Sequence, residues 1–431
     1  MLSVLTITDA AHLRSLRAAW EQLAERSESG DVTLHPSWIL SWWDVFGSDD
    51  GRELRTFAFY DGDRLVGLAP LLSRPFRYRR AIPFRRLEML GSGELEADET
   101  CGDYLGPLVE KGHEAEVASA FADALASNAG GAWDELVIPA MNGEGGDGGE
   151  GGERGDGAAR GLPKLFAAAL EARDIRVALE ERNVAPYIAL PKTFDAYLGL
   201  LKQNKRAQLR KSLRAFEAWA GGPPALVRVK SAAELAEGKR ILLTLHRERW
   251  GGDGVFGSAK FRAFHDRVMP DLLAKGALDL GWMTVRDQPV AAFYNFRCNG
   301  KLSFYQSGRK LDIPDEVRVG VTMHAYLIKA AIEEGMREYD FLAGASQYKM
   351  SLALATRPLV QLRAVRPSLR ETARLASDRA ADELRGLREK ARQRDLSGVP
   401  PRIRSVVEKV IGSKTTDRST SSKSSKPTEP T

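Results

Sequence analysis

The sequence predicts a protein of the α/β (α+β) class with two similar halves, each a mixed, mostly antiparallel sheet flanked by helices. Three observations lead to this prediction. Helical and strand-like segments alternate along the chain, and the order of types in the first half repeats in the second. A glycine-rich tract interrupts the chain at residues 141–162. The length of 431 residues and the 43% hydrophobic content suffice for more than one core.

The first half comprises residues 1–140 and, beyond the glycine-rich tract, residues 163–192. Asp9 is placed to cap a helical run that continues to about Arg26, and Gly47 closes a second, aromatic helix. Asp61 and Gly62 mark the turn of a hairpin between two apolar runs. Further helices are predicted at 117–127 and 162–174, and further strands at 134–140 and 183–191.

Residues 141–162 have the composition of a flexible, solvated insertion. Glycine and charged residues dominate, so the segment has almost nothing apolar to bury. A phosphate-binding loop needs a strand before it, a helix after it and fixed glycine spacing, whereas this tract is acidic and irregular. We therefore predict a flexible loop that is not a phosphate cradle.

The second half, residues 193–366, opens with a basic helix. The run 194–220 has helical periodicity, with Leu209, Leu213 and Phe216 on one face. Within it, residues 204–214 carry five cations and no acidic residue. Further helices are predicted at 232–250, 261–276 and 317–335, and strand-like runs at 225–230, 281–287 and 290–308.

Residues 367–412 are predicted to form an amphipathic helical extension that projects or docks. Ser368 and Glu371 have the spacing of a capping box, and a narrow apolar stripe follows between many charges. Residues 413–431 are poor in apolar side chains, which predicts a disordered tail.

The composition argues against several classes of protein. The net charge of +5 is a small excess for 63 basic and 58 acidic residues, and does not by itself indicate nucleic-acid binding. Cys101 and Cys298 lie far apart and outside any metal-binding motif, so we expect neither a disulfide framework nor a metal site. The first residues do not have the pattern of a signal peptide, and no uncharged run approaches the ~18 residues that span a bilayer. We expect a cytoplasmic protein.

Several segments together resemble the GNAT-type acyltransferases of the CelD/BcsL group, relatives of the FemAB aminoacyl transferases. The matching segments are 35–47, 65–72, 204–217, 245–250 and 333–349, and the resemblance extends over residues 31–366. It implies tandem GNAT-like halves, acetyl-CoA or another acyl-CoA as donor, and no metal. The implied acceptor is an amine or hydroxyl of a saccharide or cell-envelope precursor.

The resemblance makes residues 339–352 the candidate catalytic segment. Asp340 is placed to orient or deprotonate an acceptor. Tyr348 would protonate the departing thiolate, and Lys349 would bind phosphate or polarise the acyl oxygen. Each residue also has a structural interpretation: a carboxylate that holds a loop amide, a half-buried phenol and a solvated charge at a helix start.

The resemblance also implies a donor site where the helix at 317–335 begins. The family motif is Gln or Arg, two residues, Gly, one residue, then Gly or Ala. Gly320 matches its central glycine, while Val317 and Thr322 stand at the first and last positions. Because backbone N–H groups and the positive end of a helix dipole suit a diphosphate, Arg318, Gly320 and Thr322 are the predicted donor-binding residues.

Tyr305, Arg206 and Arg210 are the predicted substrate-binding residues. Tyr305 lies on the strand before the donor helix, where a cross-strand aromatic contact is the alternative interpretation. The basic run 204–214 would bind an anionic donor or acceptor, or form the solvated face of an amphipathic helix. His324 shares a helix face with apolar residues, which favours a packed histidine over a base.

Two other functions stay open. One is aminoacyl transfer from charged tRNA, as in the FemAB relatives, with the basic helix and the arginine-rich C-terminal region binding RNA. Its binding would weaken steeply with salt. The other is a non-catalytic scaffold of a polysaccharide-assembly complex, in which residues from Pro367 onward would carry the interaction.

Overall fold

The computed structural model describes residues 2–27, 29–143 and 158–393. The chain divides into two compact units, residues 1–368 and residues 369–431. The strands are β1 Ser3–Ile7, β2 Glu53–Leu54, β3 Thr56–Asp61, β4 Arg64–Ala69, β5 Leu71–Tyr78, β6 Ile82–Met89, β7 Leu108–Val109, β8 Glu135–Asn142, β9 Arg176–Ala189, β10 Ala225–Arg228, β11 Leu278–Val285, β12 Gln288–Cys298, β13 Lys301–Arg309, β14 Glu338–Asp340 and β15 Ala355–Val365. The α-helices are α1 Ala10–Ser15, α2 Arg17–Arg26, α3 Pro36–Phe46, α4 Glu114–Ala126, α5 Ala158–Glu171, α6 Phe194–Leu200, α7 Gln203–Ala220, α8 Ala232–Trp250, α9 Ala259–Ala274, α10 Val319–Glu333, α11 Gln347–Leu352 and α12 Leu369–Gln393. The predicted α/β class is confirmed.

The strands of the first unit form two sheets in the described part of the chain. The smaller sheet has the order β1-β3-β4-β7 and is antiparallel throughout. Its central hairpin turns after Asp61, where Gly62 has a φ of 59° that suits glycine. The larger sheet has the order β10-β11-β12-β13-β14-β9-β15-β8-β6-β5-β2.

Two parallel pairs stand out in the larger sheet. β6 pairs in parallel with β8, and β13 pairs in parallel with β14. A helix lies between the two strands of each pair along the chain, α4 in the first and α10 in the second. Parallel neighbours need such a crossover, so each half contains one strand, helix, strand unit.

The two halves share strands at the centre of the larger sheet. β15, the last strand of the unit, pairs antiparallel with β8 of the first half along one edge. Along its other edge it pairs with β9, from Ala355 opposite Tyr187 to Val365 opposite Arg176. The end of β9 also pairs with β14 of the second half. The sheet therefore continues across both halves.

Two apolar clusters form the core of the first unit. One is centred on the buried aromatic side chains of α3 and α4 and reaches α9, including Trp38, Trp42, Phe121 and Phe264. The other lies between the sheet of the second half and helices α6, α7 and α10, with Tyr197, Phe216, Leu327 and Tyr339 fully buried. Burial of such large side chains is the main stabilising contribution to the unit.

The structure differs from the prediction in several places. The helical run predicted from Asp9 to about Arg26 divides at Leu16 into α1 and α2, and strands β1 and β7 were not predicted. The helical run predicted over 194–220 is two helices, because Leu201 is extended and buried between α6 and α7. The run predicted over 290–308 is two strands, β12 and β13. The predicted insertion is narrower at its edges, because β8 continues to Asn142 and α5 begins at Ala158. Strands β5, β6 and β15 and helix α11 were not predicted as elements.

Helix α12 begins at Leu369, close to where the helical extension was predicted. Within it, Arg374 forms ion pairs with Glu371 and Asp378 at helical spacing. The predicted tail at 413–431 and most of the predicted insertion lie outside the described residues. No helix in the described ranges combines the length and apolar character needed to cross a membrane.

Candidate active site

The candidate site lies where the parallel strands β13 and β14 stop pairing. Their last paired residues are Ser303 and Asp340. Beyond this pair β13 continues to Arg309, whereas the segment that follows β14 is a loop. The loop is then bonded to β9, because the amide of Phe341 donates to the carbonyl of Pro186 over 2.9 Å. Among the described residues, the part of β13 after Ser303 therefore has no strand paired with it along the edge that faces β14.

A β-bulge marks the same stretch of β13. Tyr294 of β12 pairs with Gln306, and the next residue, Asn295, pairs with Phe304, so Tyr305 is the extra residue. The Tyr305 hydroxyl donates to the carbonyl of Thr100 over 2.7 Å. A residue predicted to bind substrate is therefore nine-tenths buried and bonded to the first half.

The loop at residues 99–104 brings the first half into the site. The non-glycine residues Cys101 and Tyr104 have φ values of 51° and 60°, and Leu342 on the facing loop has 57°. Each left-handed residue costs on the order of 1 kcal/mol or more, and persists only where surrounding contacts fix it. These contacts are hydrogen bonds between the two loops.

Asp340 is one anchor of this junction. Its Oδ2 accepts from the Tyr104 hydroxyl over 2.6 Å and lies 3.6 Å from the Lys301 ammonium, and its Oδ1 accepts from the amide of Leu342 over 2.7 Å. The residue is fully buried. Both carboxylate oxygens are thus engaged in holding the two loops.

Asp103 is the second carboxylate of the junction and is half-buried. Its Oδ2 accepts from the amide of Ala343 over 2.7 Å. Burial raises the pKa of Asp103 to about 7, and the nearby Asp340 and Asp31 carboxylates act in the same direction, against the Ala343 amide and Lys349. A carboxylate with a pKa near neutrality is suited to accept a proton at physiological pH.

Lys349 also bonds to the backbone of Ala343. Its ammonium donates to the carbonyl of Ala343 over 2.7 Å, so Ala343 connects it to Asp103. Burial lowers the pKa of Lys349, while the carboxylates of Asp103 and Asp340 oppose the shift. This lysine is therefore a partly desolvated cation that Asp103 stabilises.

Tyr348 lies beside Lys349 on α11 and is half-buried. Its ring stacks on His324 with 5.3 Å between ring centroids. His324 is buried, its Nδ1 is 2.9 Å from the Tyr339 hydroxyl, and burial lowers its pKa to about 3. His324 is thus a neutral packing residue that supports Tyr348.

Arg249 adds a second cation at the bulged strand. It lies in the last turn of α8 and donates to the Ser307 hydroxyl over 2.6 Å. Its charge contributes to the lowered pKa values of His324 and Lys349, which places it near both. The site thus combines one titratable carboxylate with two cations.

The predicted donor-binding residues all lie in the first turn of α10 or at its start. Among the described residues, no side chain caps this helix at Arg318. A Cβ placed on Gly320 would meet only the Arg309 side chain, at 3.6 Å, which is an ordinary contact. The Thr322 hydroxyl is buried and has no hydrogen-bond partner in the described part of the chain. Amides, an unpaired hydroxyl and nearby arginines fit the phosphates of a nucleotide.

The predicted substrate-binding arginines lie on α7, whose start contacts the end of the catalytic segment. Arg210 is exposed on α7, and Arg206 is half-buried and donates to the carbonyl of Gly199 over 3.4 Å. Their neighbour Lys205 donates to the carbonyl of Met350 over 2.5 Å, which attaches the start of the basic helix to α11. The basic face of α7 is therefore solvated and adjoins α11.

Asp103 was not among the sequence candidates. Asp340, Tyr348 and Lys349 stand on one short segment, whereas Asp103 lies 240 positions before its partner Ala343. A local signal exists in the sequence, because Asp103 follows a glycine in an acidic stretch, but it does not indicate a partner. No group of His, Cys, Asp and Glu within the described ranges could hold a metal ion.

Comparisons with known proteins agree with this fold. Residues 203–350 match the profile of a family described as "Acetyltransferase (GNAT) domain", which spans α7 to α11 and so includes Lys349 but not Asp103. The structure is similar to that of FemX, with a TM-score of 0.52 and 11% identity over 84% of this chain and 96% of FemX. The predicted mixed α/β fold is confirmed, and the match to the GNAT domain lies in the second half.

Two further solved structures are more distant. L-PGS from Bacillus licheniformis has a TM-score of 0.45 and 14% identity over 84% of this chain and 96% of its own. A tandem GNAT protein from the clavulanic acid biosynthesis pathway has a TM-score of 0.41 and 12% identity over 85% of this chain and 100% of its own. A search of curated proteins gave no match.

Proposed function

We propose that the protein is an acyltransferase that moves an acyl group from acyl-CoA to an amine or hydroxyl of a saccharide or cell-envelope precursor. The observation that carries the proposal is the Asp103–Ala343–Lys349 cluster at the open end of the β13–β14 pair. It places a carboxylate whose pKa is about 7 beside the Lys349 ammonium. Lys349 lies within the segment that matches the GNAT acetyltransferase domain.

The site residues divide the chemistry between them. Asp103 accepts the proton of the attacking amine or hydroxyl as its nitrogen or oxygen bonds to the acyl carbon. Lys349 stabilises negative charge on the acyl oxygen, and the carbon–sulfur bond then breaks. Tyr348 gives its proton to the departing thiolate. Asp340 holds the loops that carry these groups.

The donor would lie with its phosphates at the start of α10. Amides of Gly320 and its neighbours, the Thr322 hydroxyl and Arg318 supply the hydrogen bonds and positive charge. Arg309, beside Gly320, would add a second cation. The acyl end would then extend along β13 toward the bulge at Tyr305.

A pair of glycine variants tests the donor site by calorimetry with acetyl-CoA. Gly320→Leu would cover the amides of α10 and abolish binding. Gly161→Leu, in α5 of the first half, is the control, because a Cβ there meets nothing within 4 Å. Both changes add helix propensity of up to about 1 kcal/mol, so neither is expected to unfold the protein. Equal binding by both variants contradicts this donor site.

A labelling experiment tests the reaction itself. Radiolabelled acetyl-CoA is incubated with the protein and a cell extract, and the labelled fraction identifies the acceptor class. The proposal predicts label in a saccharide or envelope precursor. A protein that binds no member of a panel of acyl-CoAs would instead fit the scaffold alternative, and the proposal would fail.

Aminoacyl transfer from charged tRNA is the second candidate. It is favoured by the FemX-like fold and by the exposed cations Arg210, Lys211 and Arg214 on α7. RNA bound by these cations would be released by salt, with affinity falling about 10³-fold or more between 50 and 200 mM if six or more phosphates are contacted. Acetyl-CoA binding with no salt-sensitive tRNA binding favours the first candidate.

A further inference from the structure

A buried chain of hydrogen bonds ends at the loop that carries Asp103. His265 of α9 has its Nδ1 3.0 Å from the Tyr294 hydroxyl and its Nε2 3.1 Å from the Tyr305 hydroxyl. Tyr305 in turn donates to the Thr100 carbonyl over 2.7 Å. All four residues are at most 9% exposed. The chain therefore links α9, β12 and the β13 bulge to the loop at 99–104.

The direction of each bond follows from the number of available protons. Tyr305 uses its single O–H proton on the Thr100 carbonyl, so its oxygen accepts from His265 Nε2–H. Burial lowers the pKa of His265 to about 3, so the imidazole is neutral and has one N–H. Its Nδ1 must then accept from the Tyr294 hydroxyl. One tautomer of His265 satisfies the whole chain.

The loop needs this support because its backbone is strained. Cys101 and Tyr104, on either side of Asp103, have left-handed φ values. The loop is held by Thr100 at one end and by the Tyr104–Asp340 bond at the other. Asp103 itself is bonded through its carbonyl to the Thr33 hydroxyl and through its carboxylate to the Ala343 amide, so loss of the Thr100 anchor would loosen the loop on one side of these bonds.

We propose that His265 is a positioning residue for the site: its Nε2–H orients the Tyr305 hydroxyl, which fixes Thr100 and with it Asp103. The proposal rests on the proposed function only for its kinetic consequence. His265 touches neither the acceptor nor the donor. It acts through Tyr305, whose ring also packs against its own at 5.4 Å.

Two substitutions of His265 distinguish the hydrogen bond at Nε2 from the one at Nδ1. His265→Gln places an amide N–H near the Nε2 position and keeps the donor to Tyr305. His265→Asn reaches only the Nδ1 position, so it keeps a group toward Tyr294 and leaves Tyr305 without a donor. Both replace the ring by an amide, so loss of packing is common to both. Tyr305→Phe retains the ring and removes the bonds to Thr100 and His265.

Alkylation of Cys101 reports the loop without any assay of transfer. Cys101 is next to Thr100, and burial raises the pKa of its thiol to about 12, so the reactive thiolate forms mainly when the loop opens. The chain's other cysteine is replaced in a Cys298→Ser background. We expect His265→Asn and Tyr305→Phe to be alkylated by N-ethylmaleimide about five-fold faster, the factor that loss of one hydrogen bond gives a local opening. His265→Gln should stay close to the rate of the unsubstituted background.

The kinetic arm separates this proposal from the proposed function. Where transfer is measured, His265→Asn lowers kcat with little change in KM for acetyl-CoA, and His265→Gln restores it. Equal alkylation rates in the Gln and Asn variants overturn the positioning role, as does an unchanged rate in Tyr305→Phe. If no variant, nor the unsubstituted protein, transfers acetyl groups but the alkylation pattern holds, positioning stands and the proposed function fails.

Discussion

Asp103 has an environment that favours its neutral form. It lies near two other carboxylates, Asp340 and Asp31, and burial adds to their effect on its pKa. Asp340 has three bonding partners to offset its own burial: the Tyr104 hydroxyl, the Leu342 amide and the Lys301 ammonium. Two nearby carboxylates thus have different roles, one structural and one able to exchange a proton.

The raised pKa of Asp103 makes the stability of the protein depend on pH. In the unfolded chain this carboxyl has a pKa near 3.8, so between pH 4 and 7 the folded form binds the additional proton. Its contribution to the free energy of unfolding is present below pH 4 and is lost as the pH rises to about 7. In Asp103→Asn this loss of stability with rising pH is absent, because the side chain does not ionise. Its amide oxygen can still accept from the Ala343 amide.

Urea unfolding at pH 5 and pH 8 measures the effect. The midpoint of the wild-type protein should fall more between these pH values than that of Asp103→Asn. Asp98→Asn is a matched control in the same acidic stretch, because Asp98 accepts from Ser258 outside the site. An equal pH response in the wild type and Asp103→Asn would mean that Asp103 has an ordinary pKa.

Sequence reasoning proposed the second-half members of the candidate site and did not propose Asp103 of the first half. Tyr348 and Lys349 follow a strand and a short loop on one segment, so their proximity is local. Asp103 reaches them only because the 99–104 loop bonds to Ala343 across the two halves. The hydroxyl of Tyr305 was likewise assigned to substrate, whereas it is bonded to Thr100 and His265.

Among the elements, β13 determines the geometry of the site. Its bulge at Tyr305 directs one side chain toward the first half, and Gly308 permits close packing on α8. A Cβ on Gly308 would lie 2.2 Å from the backbone nitrogen of His246. The strand and the helix that carries Arg249 are therefore held in contact by a position that tolerates only glycine.

Gly308→Ala should consequently destabilise the protein by about 1–3 kcal/mol, as overpacking of a core does. Gly320→Ala is the control on α10, where the added Cβ meets only a flexible arginine at 3.6 Å. Chemical denaturation of both variants measures the difference. A Gly308→Ala protein as stable as the control would show that β13 and α8 are farther apart than described.

The elements that were predicted and those that were missed differ in their local signals. Helices α1 and α3 were found through the cap at Asp9 and the closing Gly47. Strands β5 and β6 were missed because the arginines of both strands, and Glu88 of β6, interrupt the apolar runs without a strict alternation. In the sheet these charges pair across strands, Arg74 with Glu88 and Arg86 with Glu135, so they occupy buried positions. Strand pairing of this kind is a tertiary effect.

At the scale of the whole first unit, the halves are joined by exchange of strands. β15 follows the second half in sequence but lies between β8 and β9 in the sheet. The division into two halves with a similar order of elements could be predicted from the sequence. The interlocking could not, since it depends on the position of one strand among strands distant in sequence.

The same interlocking places the site at the boundary between the halves. The first half contributes Asp103 through its loop, and the second contributes Lys349, Tyr348 and the start of α10. The match to the acetyltransferase domain begins at residue 203 and so covers one side of this arrangement. Under the proposed function, the second half would bind the donor and the first half would supply the base.

The pH dependence of acetyl transfer in the wild type and in Asp103→Asn tests this claim most directly. The acceptor for this assay is the cell-extract fraction that becomes labelled when the protein is incubated with radiolabelled acetyl-CoA. Asp98→Asn is the control for loss of a carboxylate outside the site. We expect a wild-type rate that rises with pH through about 7, as the Asp103 carboxylate forms. In Asp103→Asn we expect a kcat lower by roughly 10²–10⁴-fold, with the pH step absent and acetyl-CoA binding retained. A wild-type rate and pH profile in Asp103→Asn would contradict it.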